Sequence, residues 1–150
     1  MEPAFRPAVE TDTDSILGFM RSLYEQDGVV YDEPVARRTL AGIIRDRAIG
    51  RVWMICEGPD PIGYMVLTLG YSLEYGGRDA FIDELFVHES RRRRGIGRKG
   101  LQVIIDACRE LDVRALHLQV HRPNRAAQEL YRKLGFVDND LFLMTRQLRD

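Results

Sequence analysis

Residues 81–100 read FIDELFVHESRRRRGIGRKG, and a change of period falls inside them. FIDELFV reads as a strand, and four arginines follow it at Arg91–Arg94. Gly95-Ile96-Gly97 then opens onto Leu101, Ile104, Ile105, Cys108 and Leu111, which recur at helical spacing. A helix start presents unsatisfied N–H groups and the positive end of a dipole. Glycines ahead of it let successive N–H groups turn inward as an anion nest. With arginines beside it, the segment is predicted to hold a di- or polyphosphate. A Walker loop needs GxxxxGK[ST], which is absent. Gly95-x-Gly97-x-x-Gly100 matches a Rossmann string, but the insert HESRRRRG between strand and helix is too long for that tight turn. A solvated basic turn or a nucleic-acid patch stays open from these residues alone.

Upstream, RVWMICE at 51–57, IGYMVLTLGYSLEY at 62–75 and AFIDELFV at 80–87 read as three strands in a row, separated by GPDP and GGRD turns. An antiparallel meander is expected. Before it, AFRPAV at 4–9 suits a short first strand. Ile16, Leu17, Met20, Leu23 and Tyr24 form a helix stripe behind TDTD and end at Asp27–Gly28. A second helix is expected from Pro34 to near Gly50. Downstream, ALHLQV at 115–120 alternates as a strand. Pro123–Asn124 opens a helix with Ala127, Leu130, Tyr131 and Leu134 on one face, and Gly135 ends it. DLFLMTRQL at 140–148 reads as a closing strand. The fold class is α+β, mixed α/β, in one domain over 1–150.

Residues 124–136, NRAAQELYRKLGF, complete the pattern. The string Arg92-Arg93-Arg94-Gly95-Ile96-Gly97 resembles the coenzyme A loop of the GNAT N-acetyltransferase superfamily. Asn124, Ala127, Leu130, Tyr131, Lys133, Gly135 and Phe136 are similar to that superfamily's downstream segment in type and spacing. The resemblance covers 80–136 strongly and the rest in element order. Arg93 stands where the family often has Gly, and Gly100 where it often has Ala or Leu. A glycine there costs about 1 kcal/mol of helix propensity and is expected to serve close packing on the sheet.

The resemblance implies a central mixed, mostly antiparallel sheet of six to seven strands flanked by about four helices. It implies direct attack of an acceptor amine on acetyl-CoA, with no metal and no acyl-enzyme. A bulge in strand 81–87 is expected to splay it from strand 115–121, so that pantetheine pairs with the backbone of Leu85, Phe86 and Val87. Arg92, Arg93, Arg94, Gly95, Ile96, Gly97 and Arg98 would take the pyrophosphate through backbone N–H groups, with one or two arginine side chains on phosphate and the others in solvent. Tyr131 matches the family's general acid toward the departing sulfur, and an aromatic core residue is the other reading. Asn124 serves as coenzyme contact, helix cap or both. Asp83 and Glu84 precede the bulge, where the family often has an acid acting through water. Alternation sends adjacent strand residues to opposite faces, so only one is expected to face the site, with Glu84 slightly preferred.

Tyr24, Asp27, Tyr31, Glu74 and Tyr75 fall where the family binds its acceptor. Carboxylates among tyrosines suit a cationic amine. IDELFV also resembles the matching strand of polyamine and thialysine acetyltransferases. A small polyamine-like or amino-sugar-like amine is therefore expected. Acetylation of a protein lysine or N-terminus, or non-catalytic acyl-CoA binding, stay open. Charge supports this division: residues 1–90 hold 16 acids against 8 bases, and residues 91–150 hold 7 against 14. The overall charge of −1 argues against a nucleic-acid partner. No apolar run approaches a membrane span and no signal-like core opens the chain, so a cytoplasmic location is expected. Cys56 and Cys108 are expected as buried thiols. His88, His117 and His121 are too scattered for a metal site. A homodimer through strand 140–148 is a further expectation.

Overall fold

The computed structural model describes residues 1–149. They form two compact units, Met1–Gln119 and residues 120–149. The first contains a five-stranded sheet in the order β1-β2-β3-β4-β5. β1 (Ala4–Pro7), β2 (Gly50–Glu57), β3 (Asp60–Ser72) and β4 (Gly77–Val87) run antiparallel to one another in sequence, as the meander predicts. β5 (Ala115–His117) is parallel to β4.

Helices α1 (Thr13–Asp27) and α2 (Glu33–Arg45) cover one face. Asp32 Oδ1 caps α2 by accepting from the Val35 N–H at 3.2 Å. α2 stops short of the expected Gly50. Asp46 ends it by accepting the Ala48 N–H on its side chain at 2.9 Å, a local bond that competes with further helix. Ile16, Leu17, Met20 and Leu40 bury against Met54, Tyr64, Val66 and Phe86 on this side.

The opposite face carries α3 (Ile96–Glu110), whose Ile104 and Cys108 pack on Ile55, Met65, Leu67 and Ala80. Gly100 is buried there, and a Cβ on it would lie 2.6 Å from Met65 Sδ and 3.3 Å from the Phe5 ring. The helix propensity lost at Gly100 is thus exchanged for close approach to the sheet, as expected. Both cysteines are buried free thiols, and burial pushes the Cys108 thiol up to about 11.

The second unit contains α4 (Arg125–Lys133). Among the described residues the sheet has five strands, not six to seven, and the closing strand expected at 140–148 does not form. Leu141, Phe142, Leu143, Met144 and Leu148 are all exposed. Alternation makes a segment compatible with a strand, but a ladder also needs a paired edge, and none is recorded for these residues. Likewise β5 ends at His117 and not at Val120. No helix of the described residues is long and apolar enough to cross a membrane.

Candidate active site

β4 carries one residue more than β3 requires. Val66 stands opposite Glu84 and Leu67 opposite Ile82, so Asp83 is the inserted residue of a bulge. The insertion cancels one step of side-chain alternation. Ile82 and Leu85 both pack on the α3 side. Asp83 and Glu84, between them, therefore share the face of α1 and α2. The expectation that only one carboxylate faces that side is corrected, because strict alternation fails at a bulge.

Glu84 is held from two directions. Its Oε2 accepts from the Tyr24 hydroxyl at 2.5 Å and its Oε1 from the Tyr64 hydroxyl at 2.6 Å. Burial pushes the Glu84 carboxyl above its ordinary range. The two phenol hydrogen bonds oppose that shift, and the charges of Asp83 and Asp27 reinforce it. Both phenols are in turn driven up, first by burial and then by the carboxylate beside them. Asp83 has an exposed residue surface, yet packing around its carboxyl strips enough water to raise it as well. The result is a partly desolvated carboxylate with neutral hydrogen-bond donors and, among the described residues, no cationic partner, an arrangement that can accept a proton.

The predicted acceptor residues divide. The Tyr31 ring meets Tyr24 edge-on at 5.9 Å, and its hydroxyl donates to the Leu17 carbonyl at 3.3 Å. Tyr24 thus bonds Glu84 directly, the charge of Asp27 acts on it, and Tyr31 stands behind Tyr24. Tyr75 instead stands 5.4 Å from the His117 ring, which also lies 4.9 Å from Phe81. Glu74 occupies the turn between β3 and β4. Sequence reasoning passed over Tyr64 and the pairing of His117 Nε2 with Asp79 Oδ2 at 3.2 Å. Tyr64 was detectable in principle: it lies opposite Phe86, two residues from Glu84 on the same face.

β5 pairs with β4 only from Asp79 to Phe81, so the edge of β4 beyond Phe81 has no β5 partner. The His88 N–H donates to the Ile62 carbonyl at 2.7 Å, which fixes the phase of the ladder. Leu85 and Val87 then direct their backbone groups away from β3, and Phe86 directs its own toward it. The Phe86 ring is buried, 5.6 Å from Phe19 and 6.4 Å from Tyr64.

The arginine loop follows. His88 Nδ1 accepts from the Ser90 N–H at 3.2 Å and caps a short 3-10 turn over Glu89–Arg91. Arg93 and Gly95 both take left-handed backbone, with φ of 65° and 75°. Gly95 opens α3 without a side-chain cap, which leaves the first-turn N–H groups of Ile96, Gly97 and Arg98 outside the intrahelical ladder. A Cβ on Gly97 would meet no protein atom within 4 Å. Protein packing thus does not demand glycine there, whereas close approach of a ligand to the backbone would. Arg92, Arg93, Arg94 and Arg98 are exposed and Arg91 is half-buried, yet three of the four consecutive arginines also make contacts within the protein. Arg91 Nε and Arg94 Nη1 both pair with Glu57 Oε1. Arg92 Nε donates to the Val87 carbonyl at 2.8 Å while its guanidinium lies 5.3 Å from the Phe86 ring centroid. No such bond is recorded for Arg93 or Arg98.

In the second unit, Asn124 Oδ1 accepts the Ala127 N–H at 3.2 Å and so caps α4. Tyr131, on α4, meets the Phe136 ring at 6.0 Å.

Known proteins share this architecture. A protein from the mobile metagenome of Cole Harbour Salt Marsh, integron cassette protein HFX_CASS3, is 32% identical, with a TM-score of 0.86 over 97% of this chain and 91% of that one. A predicted acetyltransferase from Clostridium acetobutylicum, solved with acetyl-CoA, shares the fold at 16% identity and a TM-score of 0.81, covering 97% and 96% of the two chains. The thialysine N-epsilon-acetyltransferase of Bos taurus is 29% identical over 82 residues, covering 55% of this chain and 48% of that one. The matched segments span less than half the length of the curated relatives. Residues 9–136 match the acetyltransferase (GNAT) family across both the bulged strand and the glycine loop, and the chain belongs to that family.

Proposed function

We propose that residues 1–150 act as one catalytic domain that transfers an acetyl group from acetyl-CoA to the primary amine of a small cationic acceptor. The observation that carries this reading is Glu84, a raised carboxyl held between the Tyr24 and Tyr64 hydroxyls beside an open strand edge. Acetyl-CoA supplies an activated acetyl group and a thiolate leaving group. The residues present fit it: two left-handed turns, an uncapped helix start and the open space at Gly97 suit a pyrophosphate. Leu85 offers its backbone groups and Val87 its N–H to the pantetheine amides, the Val87 carbonyl being taken by Arg92 Nε, and Phe86 shapes the core behind them.

Glu84 accepts the proton that an alkylammonium must lose before it can attack, with Asp83 beside it to hold the amine or a bridging water. Tyr24, Asp27 and Tyr31 surround the cation with carboxylate charge and aromatic faces. Tyr131, whose phenol burial pushes above its ordinary range, keeps its proton at neutral pH and supplies it to the departing sulfur. A polyamine-like or amino-sugar-like acceptor fits the acidic lining, and the likeness to the bovine thialysine enzyme supports it. The reading includes a homodimer through residues 140–148, whose apolar side chains are exposed; sedimentation checks it.

Release of free thiol from acetyl-CoA with polyamines, aminoglycosides, amino acids and basic peptides tests the activity. Turnover is expected with small polycationic amines and not with peptides. Thermal stabilisation by acetyl-CoA without thiol release from any amine would leave an acyl-CoA binder. Tyr131→Phe is expected to lower kcat by about 10- to 100-fold at unchanged acetyl-CoA affinity; an unchanged kcat removes Tyr131 from the chemistry.

A further inference from the structure

Glu57 is the last residue of β2, only 10% of its side chain is exposed, and its Oε1 is shared by Arg91 and Arg94. These arginines bracket the left-handed residue Arg93, and Gly95 follows directly. Arg92 is fastened separately to the Val87 carbonyl and the Phe86 ring. Three of the four consecutive arginines therefore act as tethers, and the carboxylate that gathers two of them sits on the β2–β3 hairpin, where Glu57 faces Asp60.

A carboxylate close to an anion site opposes the anion by charge alone. We propose that Glu57 is the positioning residue of this loop: it holds Arg91 and Arg94 so that the backbone between them keeps its left-handed turn and the N–H groups ahead of α3 stay aimed at the ligand. The inference rests on the proposed reading of the loop as the pyrophosphate site. It assigns the phosphate contact to main-chain N–H groups, with Arg93 and Arg98 as the side chains left to supply charge, and makes Arg91 and Arg94 clasps.

Charge and geometry predict opposite signs for one substitution. Glu57→Gln removes a negative charge and, by electrostatics alone, tightens binding of acetyl-CoA. Loss of the clasp loosens the loop and weakens binding, by about tenfold if the N–H groups lose their alignment. Binding of acetyl-CoA by calorimetry and turnover of acetylpantetheine, which lacks the pyrophosphate, are measured on both proteins. The expected result is weaker acetyl-CoA binding by Glu57→Gln, unchanged kcat/KM for acetylpantetheine, and faster tryptic cleavage within Arg91–Arg94 of the unliganded protein. Glu57→Asp keeps the charge but shortens the reach, and is expected to weaken acetyl-CoA binding too; it carries the test if Glu57→Gln folds poorly. Equal or tighter binding by both variants, with wild-type trypsin resistance, overturns the inference. Failure of the wild-type protein to bind acetyl-CoA would instead remove the functional reading, while the tryptic comparison would still report on the clasp.

Discussion

Glu84 and Glu57 are both carboxylates drawn out of water, and they differ in what holds them. Glu84 lies between two phenols, neutral donors that stabilise its charge without cancelling it. Glu57 lies between two guanidinium groups. Neutral partners leave a desolvated carboxylate able to take up a proton, whereas cationic partners use the carboxylate as a fastening. Burial alone therefore does not separate the proposed base from the proposed clasp; the charge of the partner does.

The largest expected effect breaks the first half of that contrast. Glu84→Gln is expected to lower kcat by about 100- to 1000-fold, read as thiol release with the true acceptor, with the fold intact by circular dichroism. The same variant has a second readout. Because the Glu84 carboxyl is raised in the folded protein, the native state holds its proton more tightly than the unfolded chain. Stability contributed at this site therefore falls as pH rises from the ordinary carboxylate range through the raised one. Melting temperatures measured across that window should show a shallower decline for Glu84→Gln than for the wild type.

Glu57→Gln breaks the second half. It is expected to cost about 1–2 kcal/mol in denaturant unfolding, because the arginines it releases are 35% and 50% exposed and can rehydrate. Its effect on kcat should be small. A smaller effect sharpens the contrast from the side of the phenols. Tyr64→Phe removes a hydrogen bond that lowers the Glu84 carboxyl. The acid limb of the kcat/KM profile should move to higher pH, with a stability loss of about 1 kcal/mol. A limb that stays in place would show that Glu84 does not control it.

Much of this was readable from residue order. Period changes located the meander and α3, and the glycine spacing with Asn124–Phe136 pointed to the family. What escaped had physical reasons. The bulge in strand 81–87 was expected from the resemblance, but its position at Asp83 has no compositional mark, so Asp83 and Glu84 were expected on opposite faces. Glu57 lies 34 residues from Arg91, and nothing local in RVWMICE distinguishes a clasp from a strand-end carboxylate. His117 and Asp79 meet only because β5 joins β4 in parallel. The apolar alternation of DLFLMTRQL describes what a strand would need, and an edge to receive it is not written in those nine residues.

The Arg92 contact with the Val87 carbonyl has a consequence for solubility. Beyond Phe81 the edge of β4 is not closed by β5, and bare strand edges invite pairing between chains. A guanidinium seated on the last outward carbonyl, together with a bulge that spoils the regular spacing at Asp83, makes a poor template for a second sheet. An extended ligand that displaces one arginine can still dock, whereas a long foreign strand meets both a charge and a break in register. On the proposed reading the same short edge would admit a cofactor and discourage aggregation, so Arg92→Ala should be more prone to assemble on heating than the wild-type protein.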